Sequence, residues 1–284
     1  MIPGSFTYHR PASVKDALGI LAEHGDEARV IAGGHSLVPM MKLRMAALDH
    51  LVDLQGISEL RGISVSGGTV RIGAMVTQAE LLASADLKAA APILHEAAEQ
   101  IADPQVRYMG TVGGNIANGD PGNDMPGLMQ CLDATYELEG PSGKRDVNAR
   151  EFYEAAYMTA REDDEILVAA RFDAPKGGYA YVKQKRKIGD YATAAAAVQI
   201  VKDGGVCKSA SIAMTNLADT PIFAEAAGVA LVGTAVDVAA VKAAVAAMQE
   251  AIEPVSDNRG PIDFKRHVAG AILAHAIARA WARA

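Results

Sequence analysis

The sequence predicts an α+β protein in three parts, residues 1–55, 56–175 and 176–284. Three observations predict it. A strand-helix-strand pattern runs through Gly33-Gly34, short alternating strands with tight turns begin after Gln55, and the last third gives three β-prone runs followed by alanine-rich helices. The C-terminal part is therefore expected to be a three-stranded antiparallel sheet with a helical bundle.

Taken in order, Ser13 caps a helix with apolar Val14, Ala17, Leu18 and Leu21 at helical spacing, and Gly25 stops it. Ala28 to Ala32 reads as a buried strand, Ser36 to Arg44 as a helix with Pro39 in its first turn, and Leu51 to Leu54 as a second strand. Ile63 to Val65 and Thr69 to Gly73 flank Ser66-Gly67-Gly68 as a hairpin. Thr77 to Ala83 and Pro92 to Ala102 read as helices, the second ended by Asp103-Pro104. A loop over 117–126 feeds a helix from Met125 to Leu132, with Asn123 or Asp124 as its N-cap. Thr135 to Glu139 alternates like an edge strand, whereas Glu165 to Ala170 has the continuous apolar run of a central one. After a break at Ala174-Pro175-Lys176-Gly177-Gly178, the runs Tyr179 to Lys187, Thr193 to Val201 and Val206 to Met214 form one antiparallel sheet. Ile222 to Val232, Val236 to Glu250 and Phe264 to Ala284 are the helices that close the chain.

Composition narrows the function classes. A chain of 284 residues, 50% hydrophobic, buries a substantial core, and a net charge of -7 argues against a nucleic-acid binder. Cys131 and Cys207 are the only cysteines, too few for a disulfide framework or an iron-sulfur cluster held by this chain alone. No apolar run is long enough for a membrane span, and the start Met1-Ile2-Pro3-Gly4 lacks a signal-peptide pattern.

Most familiar motifs fail. No G-x-G-x-x-G or P-loop occurs, and Val38 stands where a hydrolase elbow after Gly34-His35-Ser36 needs glycine. His95-Glu96-Ala97-Ala98-Glu99 lacks the second histidine of a zinc motif and reads as a solvated helix face, and His267 and His275 lack metal spacing. Two glycine pairs remain, Ala32-Gly33-Gly34-His35-Ser36 and, about eighty residues on, Thr111-Val112-Gly113-Gly114-Asn115. Paired glycines admit positive φ and bring successive NH groups near a ligand, so the amides of residues 32–36 and 111–115 are expected to grip a diphosphate.

These two stretches resemble the FAD-diphosphate signatures of the flavin subunits of molybdenum hydroxylases, the family of xanthine dehydrogenase. The opening Met1 to Arg10, the run Ile101 to Gly110 and Lys185 to Ala192 resemble the carbon monoxide dehydrogenase branch of that family. Tyr108-Met109 stands where many members carry Asn-Arg. The resemblance covers the whole chain. It implies a vanillyl-alcohol-oxidase-like fold in which two subdomains hold extended FAD and a C-terminal domain closes over the ring. It implies FAD contacts from Ala32, Gly33, Gly34, His35, Ser36, Thr111, Gly113, Gly114 and Asn115, with Asp124 near the flavin, Lys183 approaching it and Tyr191 beside the ring. On the residues alone, Asn123 or Asp124 reads as a helix cap. Lys183, Lys185 and Lys187 would share one strand face with Arg186 on the other, a solvated strand end.

What the resemblance implies of function is an FAD-carrying electron-transfer subunit with no catalytic residue or metal ligand of its own. A large subunit with the molybdenum cofactor oxidises the substrate, a small subunit with [2Fe-2S] clusters carries electrons, and the flavin passes them to an acceptor such as quinone. The expected assembly is a dimer of heterotrimers in the cytoplasm, including at the inner face of the membrane. The alternatives are a flavin subunit for an aldehyde or N-heteroaromatic hydroxylase, or a free-standing flavin oxidoreductase.

Overall fold

A computed structural model describes residues 2–284, so Met1 of the opening run lies outside it. The first part contains β1 (Thr7–His9), α1 (Val14–His24), β2 (Ala28–Ile31), α2 (Leu37–Lys42) and β3 (His50–Asp53). The strands form a parallel sheet in the order β1-β3-β2. Ser13 Oγ accepts from the Asp16 NH, and Gly25, with φ 51°, closes α1. Two expectations change here. The strand leading to the first glycine pair is an edge, buried only at Ala28, because its neighbours Arg29, Val30 and Ile31 form the rim of a cavity. The unpredicted β1 covers the other side of β3 with largely exposed residues that leave no apolar signal.

The second part opens with the hairpin β4 (Ile63–Ser66) and β5 (Thr69–Gly73), turned by Gly67 and Gly68 at φ 61° and 84°. A helical stretch follows: α3 (Gln78–Ala83), α4 (Ala85–Ala90), α5 (Pro92–Ala98), α6 (Pro104–Met109), α7 (Val112–Ala117) and α8 (Asp124–Cys131). The chain returns as β6 (Thr135–Gly140), β7 (Gly143–Asn148), the small hairpin β8 (Tyr153–Ala155) and β9 (Met158–Thr159), and β10 (Ile166–Asp173). The main sheet runs β4-β5-β10-β6-β7 with antiparallel neighbours, so β10 is central as expected.

The Thr135 run is not an edge, because β7 pairs along it. The helix from Pro92 stops at Ala98, and Asp103-Pro104 begins a helix instead of ending one. Asp103 Oδ1 accepts from the Val106 NH at 2.9 Å, with Pro104 in the first helical position, where a missing NH costs nothing. Behind the sheet and helices Val70, Ile72, Leu94, Met125, Leu128 and Tyr136 share one fully buried core.

The third part has β11 (Gly178–Gln184), β12 (Ala194–Asp203), β13 (Val206–Thr215) and β14 (Ile222–Phe223), then α9 (Glu225–Val229), α10 (Val238–Ala251) and α11 (Ile262–Arg283). The sheet is four-stranded, β11-β12-β13-β14, not three-stranded. Ile222-Phe223 pairs with the edge of β13 where a helix was expected, since that edge otherwise leaves Ala213 and Met214 without a neighbour. The alanines of β12 explain its apolar run: Ala195 and Ala197 face the core of the second part, while Ala194 and Ala196 face the C-terminal helices. Close packing there is tight enough that a Cβ at Gly178 would fall 1.8 Å from Ala280 O of α11.

Glu96 is not on a solvated face. It accepts from the Tyr181 NH at 2.9 Å and pairs with Arg279 and Arg283, tying α5 to the last helix. β11 ends at Gln184, so the strand alternation expected for Lys185 to Lys187 does not apply.

Candidate functional site

A cavity of about 520 Å³ opens where the three parts meet. Every residue singled out from the sequence lines it: Ala32 to Ser36, Thr111, Gly113, Gly114, Asn115, Asp124, Lys183 and Tyr191. The two glycine signatures meet along one wall through a backbone contact. A Cβ on Gly33 would lie 2.3 Å from Met109 O and 2.9 Å from Gly110 Cα, so only glycine lets these segments touch.

The two signatures do different work. Among the described residues, the NH groups of residues 33–36 have no acceptor in the chain, and they precede the first turn of α2. Only Gly34, with φ 74°, uses a conformation that favours glycine. The second signature is a helix start, not an open bend. Thr111 caps α7, accepting from the Gly114 NH at 3.0 Å. The NH groups of Val112, Gly113 and Asn115 donate to Val76, Ala74 and Thr111 carbonyls. Of the amides of residues 111–115 expected to grip a diphosphate, those of residues 112–115 therefore already donate inside the fold. Gly113 instead permits close packing, as a Cβ there would fall 2.4 Å from Ala74 Cβ.

Asn115 organises the next helix. Its Oδ1 accepts from the Met125 NH at 3.1 Å, and its carbonyl accepts from Asn123 Nδ2 at 2.8 Å. Asn123 thus sits at the N-cap position of α8 without capping it through its own side chain. Asp124 is then free for another task. Its carboxylate accepts from Lys183 Nζ at 2.8 Å and from Tyr181 Oη at 2.5 Å, all three side chains being buried. Burial first, and the Asp124 charge second, push the Tyr181 phenol well above its ordinary pKa, so it stays a proton donor. Lys183 is consequently no solvated strand end. Its charge depresses the neighbouring Lys185 ammonium, whose larger perturbation is its own desolvation.

Tyr191 stands at the mouth, 41% exposed, and packs beside Gly122 with the Arg259 guanidinium 5.4 Å from its ring centroid. Burial raises its phenol pKa, with the Asp120 charge adding to the effect.

One wall residue escaped the sequence reading. Gln78, the first residue of α3, is 2% exposed, yet neither atom of its side-chain amide has a hydrogen-bond partner among the described residues. Such an orphan costs on the order of 1–3 kcal/mol unless something in the cavity pairs with it. Free NH groups at a helix start, a glycine-made close approach and an unpaired amide all fit a long polar, phosphate-bearing cofactor such as FAD. Accordingly, Gln78→Leu is expected to keep the fold and weaken flavin binding by roughly tenfold, about 1.4 kcal/mol, read by flavin titration of stripped protein. Unchanged affinity would show that the buried amide does not pair with the flavin.

Comparisons with known proteins agree with this chemistry. The family model described as the FAD binding domain in molybdopterin dehydrogenase matches residues 4–173, and that of the CO dehydrogenase flavoprotein C-terminal domain matches residues 179–280. The chain is 56% identical over 286 residues to the carbon monoxide dehydrogenase medium chain of Afipia carboxidovorans, covering 100% of this chain and 99% of that one. Its fold is similar to a chain of the Cu,Mo-CO dehydrogenase in cyanide-inactivated form, with TM-score 0.98, 56% identity and 100% of both chains covered. A chain of quinoline 2-oxidoreductase from Pseudomonas putida 86 gives TM-score 0.95 at 35% identity, with 99% of both chains covered. The chain belongs to the FAD-binding subunits of the molybdenum hydroxylases, a family of oxidoreductase components.

Proposed function

We propose that this chain is the FAD-carrying electron-transfer subunit of an aerobic carbon monoxide dehydrogenase. The single observation that supports carbon monoxide over a heteroaromatic substrate is the end-to-end 56% identity to a carbon monoxide dehydrogenase medium chain. In this reading the assembly holds a large molybdenum subunit and a small [2Fe-2S] subunit, as a dimer of heterotrimers with quinone as acceptor. It works in the cytoplasm and at the inner face of the membrane. No helix among the described residues is long and apolar enough to cross a membrane, so a membrane location rests on surface contact.

Bound FAD supplies two-electron chemistry that accepts electrons singly. The chain supplies position and access. The NH groups of residues 33–36 hold the diphosphate, each charge-assisted bond contributing roughly 1.5–3 kcal/mol. Gln78 would offer its amide NH₂ and its carbonyl oxygen to the polar part of the cofactor. Lys183 and Asp124 place a neutralised ion pair in the wall, and Tyr191 covers the mouth. The division into a 1–55 subdomain, a 56–175 subdomain and a 176–284 domain belongs to the same reading, supported by each main sheet being closed within one of these segments.

Copurification with its neighbouring subunits tests the proposal. A flavin spectrum, molybdenum and iron by metal analysis, and acceptor reduction driven by carbon monoxide are expected. A colourless assembly, or one that oxidises quinoline or an aldehyde and not carbon monoxide, overturns it. In the same complex, Tyr191→Ala is expected to alter the rate with bulky artificial acceptors while flavin content holds. A large loss of bound flavin would contradict the covering role.

A further inference from the structure

The chain has seven histidines, and three of them, His9, His24 and His50, meet in one cluster although 15 and 26 residues separate them in turn. His9 ends β1, His24 ends α1 and His50 opens β3, so three elements each deliver one ring. His9 Nε2 lies 2.9 Å from His50 Nδ1, and the His24 ring stacks on His50 with centroids 3.6 Å apart. One nitrogen from each ring lies within 4.8 Å of the others, and all three residues are half-buried. None lines the flavin cavity. His50 is level with Ala28 at the start of β2, whereas Gly33 follows its far end, roughly 16 Å along at the usual strand rise.

We propose that this cluster is a binding site for a divalent transition-metal ion of the zinc class. Three neutral imidazoles with water in the fourth position form a regular zinc donor set, and nitrogen is the donor that zinc prefers over exposed carboxylates. Tetrahedral bonds of about 2.0–2.1 Å hold ligand nitrogens about 3.3 Å apart, so the His9 and His50 nitrogens open by only a few tenths of an ångström. The His24 ring fans away from the face of His50. The hydrogen between His9 and His50 is handed to solvent while the donor ring takes a proton on its other nitrogen, a change of tautomer that keeps both imidazoles neutral, and the ion takes its place. His24 lies in the last turn of α1, where the helix dipole favours a cation. The bound ion clips β1, α1 and β3 together, the framework that presents the first glycine pair, and plays no part in electron flow.

The test is zinc chloride titrated into the full chain after chelator treatment, followed by calorimetry and by metal analysis of the gel-filtered protein. One zinc per chain and a raised melting temperature are expected. His24→Gln and His50→Ala should each weaken binding by at least about tenfold, with circular dichroism and flavin content unchanged, while His275→Ala on α11 leaves it intact. Absence of saturable binding overturns the proposal. So does stoichiometric zinc that persists when His24 and His50 are both replaced in a chain that still folds.

Discussion

Gly33→Val is expected to yield a folded but colourless chain. The added Cβ would stand 2.3 Å from Met109 O and 2.9 Å from Gly110 Cα, and both obstacles are backbone. Backbone cannot rotate aside as a side chain can, so the segment carrying the free NH groups of residues 33–36 must lift off the segment that starts α7. Losing even two of those donors costs roughly 3–6 kcal/mol, about a hundredfold to ten-thousandfold in Kd. Gly114→Val meets Thr111 Oγ1 at 2.7 Å and Ala32 Cβ at 3.5 Å, and a hydroxyl can turn away, so its loss of flavin should be smaller. Gly34→Ala meets only the ends of the Ile31 and Val38 side chains, at 3.2 Å, and adds the strain of φ 74°. The measurement is visible flavin absorbance per mole of purified chain. A Gly33→Val protein with a full flavin spectrum, or one less affected than Gly114→Val, would remove the backbone contact from the account.

That ordering marks how far the sequence could be read. The glycine pairs are legible because close approach by backbone leaves a local mark, an absent side chain. Their separate duties are not local: Gly33 answers to Met109 and Gly113 to Ala74, partners that only the fold supplies. The same division runs through the elements. The buried-strand pattern of Ile166 to Ala170 exposes β10, whereas β7 carries Lys144, Arg145 and Asp146 on an outer strand and has no apolar alternation to find. Pro104 looks identical as a helix stop and as a first helical residue, so α6 hides behind it. Gln78 and the three clustered histidines have ordinary neighbours in sequence. Burial without a partner marks the former, and convergence of three separate elements marks the latter.

The second large effect belongs to the buried pair in the cavity wall. In the chain as it stands, Asp124 has both oxygens engaged, one by Lys183 and one by Tyr181, while Lys183 Nζ also donates to Gln100 O at 3.3 Å. Lys183→Met keeps the bulk of the side chain and removes its charge, leaving a carboxylate whose side chain is 6% exposed and held by a single phenol. Breaking one half of a buried pair costs about 3–5 kcal/mol, far above an exposed ion pair at about 0–1 kcal/mol. Tyr181 cannot compensate, since burial already fixes it as a donor with one proton to give. Replacing both partners, Lys183→Met with Asp124→Leu, removes the uncompensated charge and should recover part of that loss, the remainder being about 1–3 kcal/mol for the buried Tyr181 hydroxyl left without its acceptor. Denaturant unfolding of the two single variants and the double variant closes the cycle. A double variant as unstable as the sum of its parts would mean that the two charges do not act on one another, and that Lys183 answers to the cavity's occupant instead.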